Sequence, residues 1–207
     1  MKRIAGVLIA VLTSLSSAQE PSHVLTVHAE VVRQAYCRVD SEFFSVRLSV
    51  RLHFTNSSPD PLILARRLED PLIIRGARDA AAIYREDYEF NPSFEVFRPK
   101  PGGLHQRISR APEDSKFIIL APGKTFDTLV QDSFAAARRP TAGFLAPGDH
   151  VLQIGVSLWP LKYRQFDPIQ LSAEWSRFGK LDTDTIFSDA VPFFIPSSFD
   201  DRACGKR

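Results

Sequence analysis

The stretch FSVRLSVRLHFT, residues 44–55, decides how the chain is read. Phe44, Val46, Leu48, Val50, Leu52 and Phe54 fall on one side of an extended backbone, and Ser45, Arg47, Ser49, Arg51, His53 and Thr55 on the other. Strict two-residue alternation marks a strand with one dry face and one wet face. A slip of one residue would turn all six apolar groups to water, so the register of this strand is strongly specified.

The same logic extends in both directions. Upstream, Leu25, Val27, Ala29 and Val31 alternate with Thr26, His28 and Glu30, which predicts a neighbouring first strand. Downstream, NSSPDP (residues 56–61) supplies turn chemistry before an extended run at 62–65. Two copies of Leu-Ala-Pro-Gly, at 120–123 and 145–148, set sharp turns, because Pro fixes φ and Gly tolerates positive φ. They separate strands predicted at 117–120, 125–130 and 151–159. In the last of these Leu152, Ile154, Val156 and Leu158 form the core side. A final strand is expected at 190–195.

The segments between are less regular. Residues 66–115 read as an insertion carrying a short strand at 72–74, a short helix within 77–89, a strand at 93–97 and a turn at 99–103. Residues 159–185 form a long inter-strand excursion with a short helix at 169–178. The expectation is an all-β chain: an immunoglobulin-like or fibronectin-III-like antiparallel β-sandwich with a middle insertion and one or two short helices. It forms a single domain over 19–207.

Residues 1–18 carry the layout of a secretory signal peptide: Lys2 and Arg3, an apolar run at 4–15, then Ser16, Ser17 and Ala18. The apolar run is far shorter than the roughly 20 residues that span a bilayer. Cleavage is expected after Ala18, and no later segment is apolar enough to span a membrane. Export to the periplasm or outside the cell follows. The chain has 26 Lys and Arg against 24 Asp and Glu, so loss of Lys2 and Arg3 leaves the two signs balanced. A balanced chain lacks the electrostatic footprint of a nucleic-acid or anionic-lipid binder. The two cysteines, Cys37 in the first inter-strand turn and Cys204 beyond the last strand, are expected to bridge in an oxidising compartment, with two free thiols as the alternative. In an immunoglobulin-type sandwich those two places share a pole.

Catalytic signatures are missing from the sequence: no phosphate loop, dinucleotide fingerprint, Gly-x-Ser-x-Gly elbow or His-Glu-x-x-His helix occurs. No cofactor and no metal is expected. His28 and His53 fall on outward faces of strands expected to pair, but a metal site needs further ligands, so solvated histidines are the reading. Asp182 and Asp184 open like a calcium loop, yet Ile186 and Phe187 break the pattern. Glu86, Asp87 and Glu89, with Tyr88, read as solvated surface, and the sequon at Asn56 matters only in a glycosylating host. Trp159, Tyr163, Phe166 and Trp175, with Lys162 and Arg164, gather in the excursion. They are the candidate binding residues; the competing reading makes Trp159 and Trp175 a lid that anchors the excursion over the core.

The strand ending Phe54-Thr55-Asn56-Ser57-Ser58, then Pro61-Leu62-Ile63, resembles the second-to-third strand hairpin of bacterial immunoglobulin-like domains. The run PGDHVLQ (147–153), continued by Trp159-Pro160 and then by Trp175 and Gly179, resembles exported bacterial immunoglobulin-like β-sandwich proteins of unknown function. A more distant likeness is to the bacterial intracellular proteinase inhibitor fold. The resemblance specifies fold more than activity; with no catalytic motif and with the 159–175 excursion and the middle insertion on display, the expectation is a non-catalytic binding or structural protein of the bacterial envelope, with another protein, or else a carbohydrate, as partner. The alternatives are an extracytoplasmic protease inhibitor and a hydrolase using surface carboxylates such as Glu86 and Asp87.

Overall fold

The structure, a computed structural model, describes residues 24–68, 72–92, 111–159, 166–200 and 202–204. The expected signal peptide, the strand at 93–97 and the turn at 99–103 lie outside the described residues. Those described form an all-β fold with two short helices.

The strands are β1 (Leu25–Arg38), β2 (Phe43–Asn56), β3 (Leu62–Ala65), β4 (Ile73–Ala77), β5 (Phe117–Leu120), β6 (Thr125–Ala137), β7 (Gly148–Ser157), β8 (Lys180–Leu181) and β9 (Thr185–Ile195). Helix α1 (Ala80–Tyr84) follows β4, and α2 (Pro168–Trp175) precedes β8. They make three three-stranded sheets, ordered β1-β2-β6, β5-β3-β8 and β4-β7-β9. The inward faces of all three contribute to one apolar cluster.

β2 is the central strand of the first sheet, laddered along its length to β1 on one side and β6 on the other. Its inward row from Phe44 to Phe54 is between 0% and 2% exposed, as the alternation predicts. The row then continues one step further, into a polar residue. Asn56 is also fully buried. Its Nδ2 donates to the carbonyls of Asp60 and Leu120, each at 2.8 Å, and its Oδ1 accepts from the N–H and hydroxyl of Ser58. Its backbone N–H reaches the Lys124 carbonyl, and its carbonyl receives the Gly123 N–H. Gly123 itself sits at φ 68°, in the left-handed region that the Pro-Gly pair was expected to supply. One buried amide therefore joins the end of β2, the turn after it, β5 and the β5–β6 turn. The sequon asparagine is a core residue, and a glycan on it is incompatible with this fold.

β1 lies at the rim of the first sheet, where an uncovered edge invites pairing with other chains. Its free side is flanked by the C-terminal part of the chain: His28 meets Asp189, the Tyr36 hydroxyl donates to the Phe194 carbonyl, and Arg38 bridges Ala203. These contacts advance together in sequence, so β1 runs parallel beside β9 and the tail. The Cys37–Cys204 disulfide fastens this seam across 167 residues of sequence. Cys37 lies within β1 and not in the following turn, which corrects the position expected from the sequence. Chain-entropy arithmetic for so long a loop gives about 5 kcal/mol.

Three elements depart from the sequence reading. β4, inside the segment read as an insertion, is an antiparallel partner of β7 and so belongs to a main sheet. The helix expected within 77–89 is a single turn, started by Asp79, whose carboxylate accepts from the Ala82 N–H. β9 begins at Thr185, five residues earlier than the sequence pattern suggests, because a register irregularity between Gln153 and Gly155 breaks its alternation.

Asn56→Ala removes both donors and both acceptor functions from a dry site, taking from the Leu120 carbonyl and the Ser58 N–H the partner they have there. It is expected to lower unfolding free energy by about 3 kcal/mol, at about 1–3 kcal/mol per orphaned buried group. Urea denaturation of the variant against the parent measures it.

Candidate functional site

The aromatic residues of the excursion divide. Trp175 is 1% exposed and Trp159 4%, and both belong to the central core. Trp175 closes α2, a helix started by Asp167, whose carboxylate accepts from Ile169 N–H, with Pro168 at its first position. Leu171 and Trp175, four residues apart, share the helix's buried side. The indole meets Phe117 of β5 edge-on, with ring centroids 4.9 Å apart. Phe166 packs half-buried against the same core. Tyr163, with Lys162 and Arg164, lies outside the described residues. The described rings therefore pin the excursion to the core, and neither indole presents a face to solvent.

The acidic run is also dispersed. Glu86 and Asp87 are exposed, Tyr88 packs beside Arg75, and Glu89 turns to His150 at 3.3 Å. His150 is held on its other side by the Ala146 carbonyl, 2.7 Å from Nε2. Asp182 and Asp184 sit in the β8–β9 connection, where the Asp184 N–H donates to Asp182. Burial pushes the Asp182 carboxyl above its ordinary value, against the opposing pull of that hydrogen bond.

What the fold does assemble is a groove along the β1–β9 seam, with a volume of about 660 Å³. One wall is the outward face of the first sheet: Thr26 and His28 from β1, His53 and Thr55 from β2. The other is Gln153 of β7 with Thr185, Phe187 and Asp189 of β9. The strand register explains the arrangement. Thr26, Thr55 and Thr125 are consecutive cross-strand partners, and so are His28, His53 and Asp127. On the β9 wall, Phe187 lies flat over Gly155, where a Cβ would collide with the ring. The Arg75 guanidinium stacks 4.1 Å from the centre of that ring. Gln153 stands opposite Arg75 in the ladder, and its Oε1 is buried with no hydrogen-bond partner among the described residues.

The histidines form one polar row across four strands: Asp189, His28, His53, Asp127. His28 Nδ1 lies 3.1 Å from Asp189, and His53 Nδ1 lies 2.8 Å from Asp127. An ionised carboxylate only accepts, so the tautomer these contacts favour has its proton on Nδ1 and its lone pair on Nε2. The rings stand 6.1 Å apart at 28°. Glu30 Oε2 lies 3.9 Å from His53 Nε2 and accepts from Arg51 at 2.8 Å. Among the described residues no group of three or more His, Cys, Asp or Glu side chains is placed to hold a metal ion. The sequence placed His28 and His53 on adjacent outward faces; the two aspartates, contributed by β6 and β9, were not legible there.

No family model, no curated protein and no solved structure matches this chain.

Two expectations follow. Trp175→Ala is expected to destabilise the fold by about 3–5 kcal/mol, the range for emptying a buried large aromatic site, read as a lowered urea midpoint. For Asp182 the folded pKa lies above the unfolded one, so the native state binds its proton more tightly. Stability is therefore lost as pH rises through the folded pKa. Asp182→Asn is expected to raise stability at neutral pH and flatten the fall above pH 4, measured by denaturation at a series of pH values.

Proposed function

We propose that the chain is an exported, non-catalytic binding protein of immunoglobulin-like β-sandwich architecture, and that it engages its ligand through the groove at the β1–β9 seam. The architecture is supported by strand order. The sheets β1-β2-β6 and β4-β7-β9 match first-second-fifth and third-sixth-seventh strands of the immunoglobulin order, the place of a fourth strand beside β6 is not filled by a described strand, and β5-β3-β8 is a third sheet added to that pattern. A first strand running parallel beside the last supports it further.

Export is supported by the Cys37–Cys204 bridge, which marks a non-reducing compartment, and by the signal-like residues 1–18. No helix among the described residues is long and apolar enough to cross a membrane. A binding role is supported by one observation above the others: the groove sets the Phe187 ring and Gln153 on one wall against the hydroxyl and imidazole groups of Thr26, His28, His53 and Thr55 on the other. Surrounding threonines, Gln153 and Phe187 suit a polar ligand with some apolar surface, such as an extended peptide or a sugar.

Amide NMR of the oxidised protein, screened against short peptides and oligosaccharides, tests the site. Perturbations centred on Thr26, Thr55, Gln153 and Thr185, and lost in Gln153→Leu, are expected. Binding confined to the α2 side of the molecule would overturn the assignment.

A further inference from the structure

We infer that His28 and His53 form a binding site for a divalent transition-metal ion on the groove wall, with Glu30 as third ligand. The inference deepens the reading of this groove as the binding site and rests on it only for location.

The argument starts from orientation. Asp189 on β9 draws Nδ1 of His28 away from β2, and Asp127 on β6 draws Nδ1 of His53 away from β1. In an imidazole the two nitrogens sit on opposite flanks of the ring, so holding both Nδ1 atoms outward turns both Nε2 atoms toward the space between β1 and β2. Glu30 is the next outward residue on β1 after His28, and its carboxylate approaches His53 from that same space. A carboxylate on the far nitrogen is the arrangement that fixes tautomer and direction in metal-ligating histidines. Here it occurs twice, in mirrored form, on cross-strand partners. Two imidazoles and one carboxylate suit Zn(II), Cu(II) or Ni(II), and His28, 64% exposed at its side chain, leaves further positions open to water or to a ligand.

Arg51 is what holds the site open. Its guanidinium takes the Glu30 oxygen that would turn to the metal, and it places a positive charge beside the site. Metal and Arg51 therefore compete for one carboxylate.

The experiment is Zn(II) titration of the oxidised, tag-free protein, followed calorimetrically and by the ring ¹⁵N resonances of its histidines. One equivalent is expected to shift Nε2 of His28 and His53 together, while His150, held between Ala146 and Glu89, stays unmoved. His28→Ala or His53→Ala should abolish the high-affinity step. Asp127→Asn or Asp189→Asn should weaken it by about tenfold or more, as loss of an orienting carboxylate does. Arg51→Gln should tighten it severalfold and Glu30→Gln weaken it, and the double variant should bind as weakly as Glu30→Gln alone, because Arg51 then has no carboxylate to withhold; charges acting only through the field would instead add. The proposal is overturned by the absence of saturable binding, by shifts at one histidine alone, or by binding that survives His53→Ala. Zn(II) binding without peptide or sugar perturbations at Gln153 would sustain this site while removing the wider groove reading; the converse would remove this site alone.

Discussion

The structure depends on one row of side chains. β2 is bonded to neighbours on both edges, and every second residue from Phe44 to Asn56 is withdrawn from water. Six of these positions are apolar and exert the ordinary hydrophobic drive, each contributing about 1.5–3 kcal/mol. The seventh is Asn56, where the same geometry delivers an amide into a dry place. Burial of an amide is tolerated only with its hydrogen bonds made, and here the partners come from the turn that follows and from β5. The strand thus both fills the core and dictates where the following chain must go.

The outward face of β2 is the other half of the same constraint. Alternation that buries Leu52 and Phe54 must expose His53 and Thr55, and antiparallel pairing must set His28, Asp127, Thr26 and Thr125 beside them. The polar rows on the groove wall are therefore fixed by core register. Their chemistry is free to vary, since nothing in the core requires imidazoles or aspartates there. The second wall has a comparable origin: Gly155 in β7 removes a side chain, Phe187 settles into the gap, and Arg75 stacks on it.

What could be read from the sequence follows this division. The β2 alternation, the first strand, the core side of β7 and the Pro-Gly turns were legible because each is a local pattern. β4 as a main-sheet strand and the early start of β9 were not, since β4 is short and carries Gly76, while the irregularity beside Gly155 interrupts two-residue periodicity in β9's ladder. Of the candidate site, the two histidines could be placed on one face from alternation alone. Asp127 and Asp189 lie 74 and 161 residues away from the rings they orient, so only the folded ladders reveal them. The aromatic excursion shows the opposite case. Four rings in one segment stand out in a sequence, but an eight-residue helix with Trp175 on its inner side uses the largest of them as an anchor.

β1 carries two tasks that a regular strand could not combine. From Leu25 to Val31 its odd residues face the core, and its even residues, Thr26, His28 and Glu30, face outward, the first two into the groove. Val32 is then an extra residue, and beyond it the parity reverses. Without that bulge Cys37 would stand opposite Phe44, inside the core row. With it, Cys37 stands opposite Ser45 on the outer row, where Cys204 can reach it, and Tyr36 takes the inner place beside Phe44 and Phe199. The bulge therefore separates a groove-forming half from a half that fastens the C-terminal tail. The disulfide holds the tail and β9 alongside β1, and β9 brings Asp189 to His28. Closure of the seam and construction of the polar row are consequences of the same reversal.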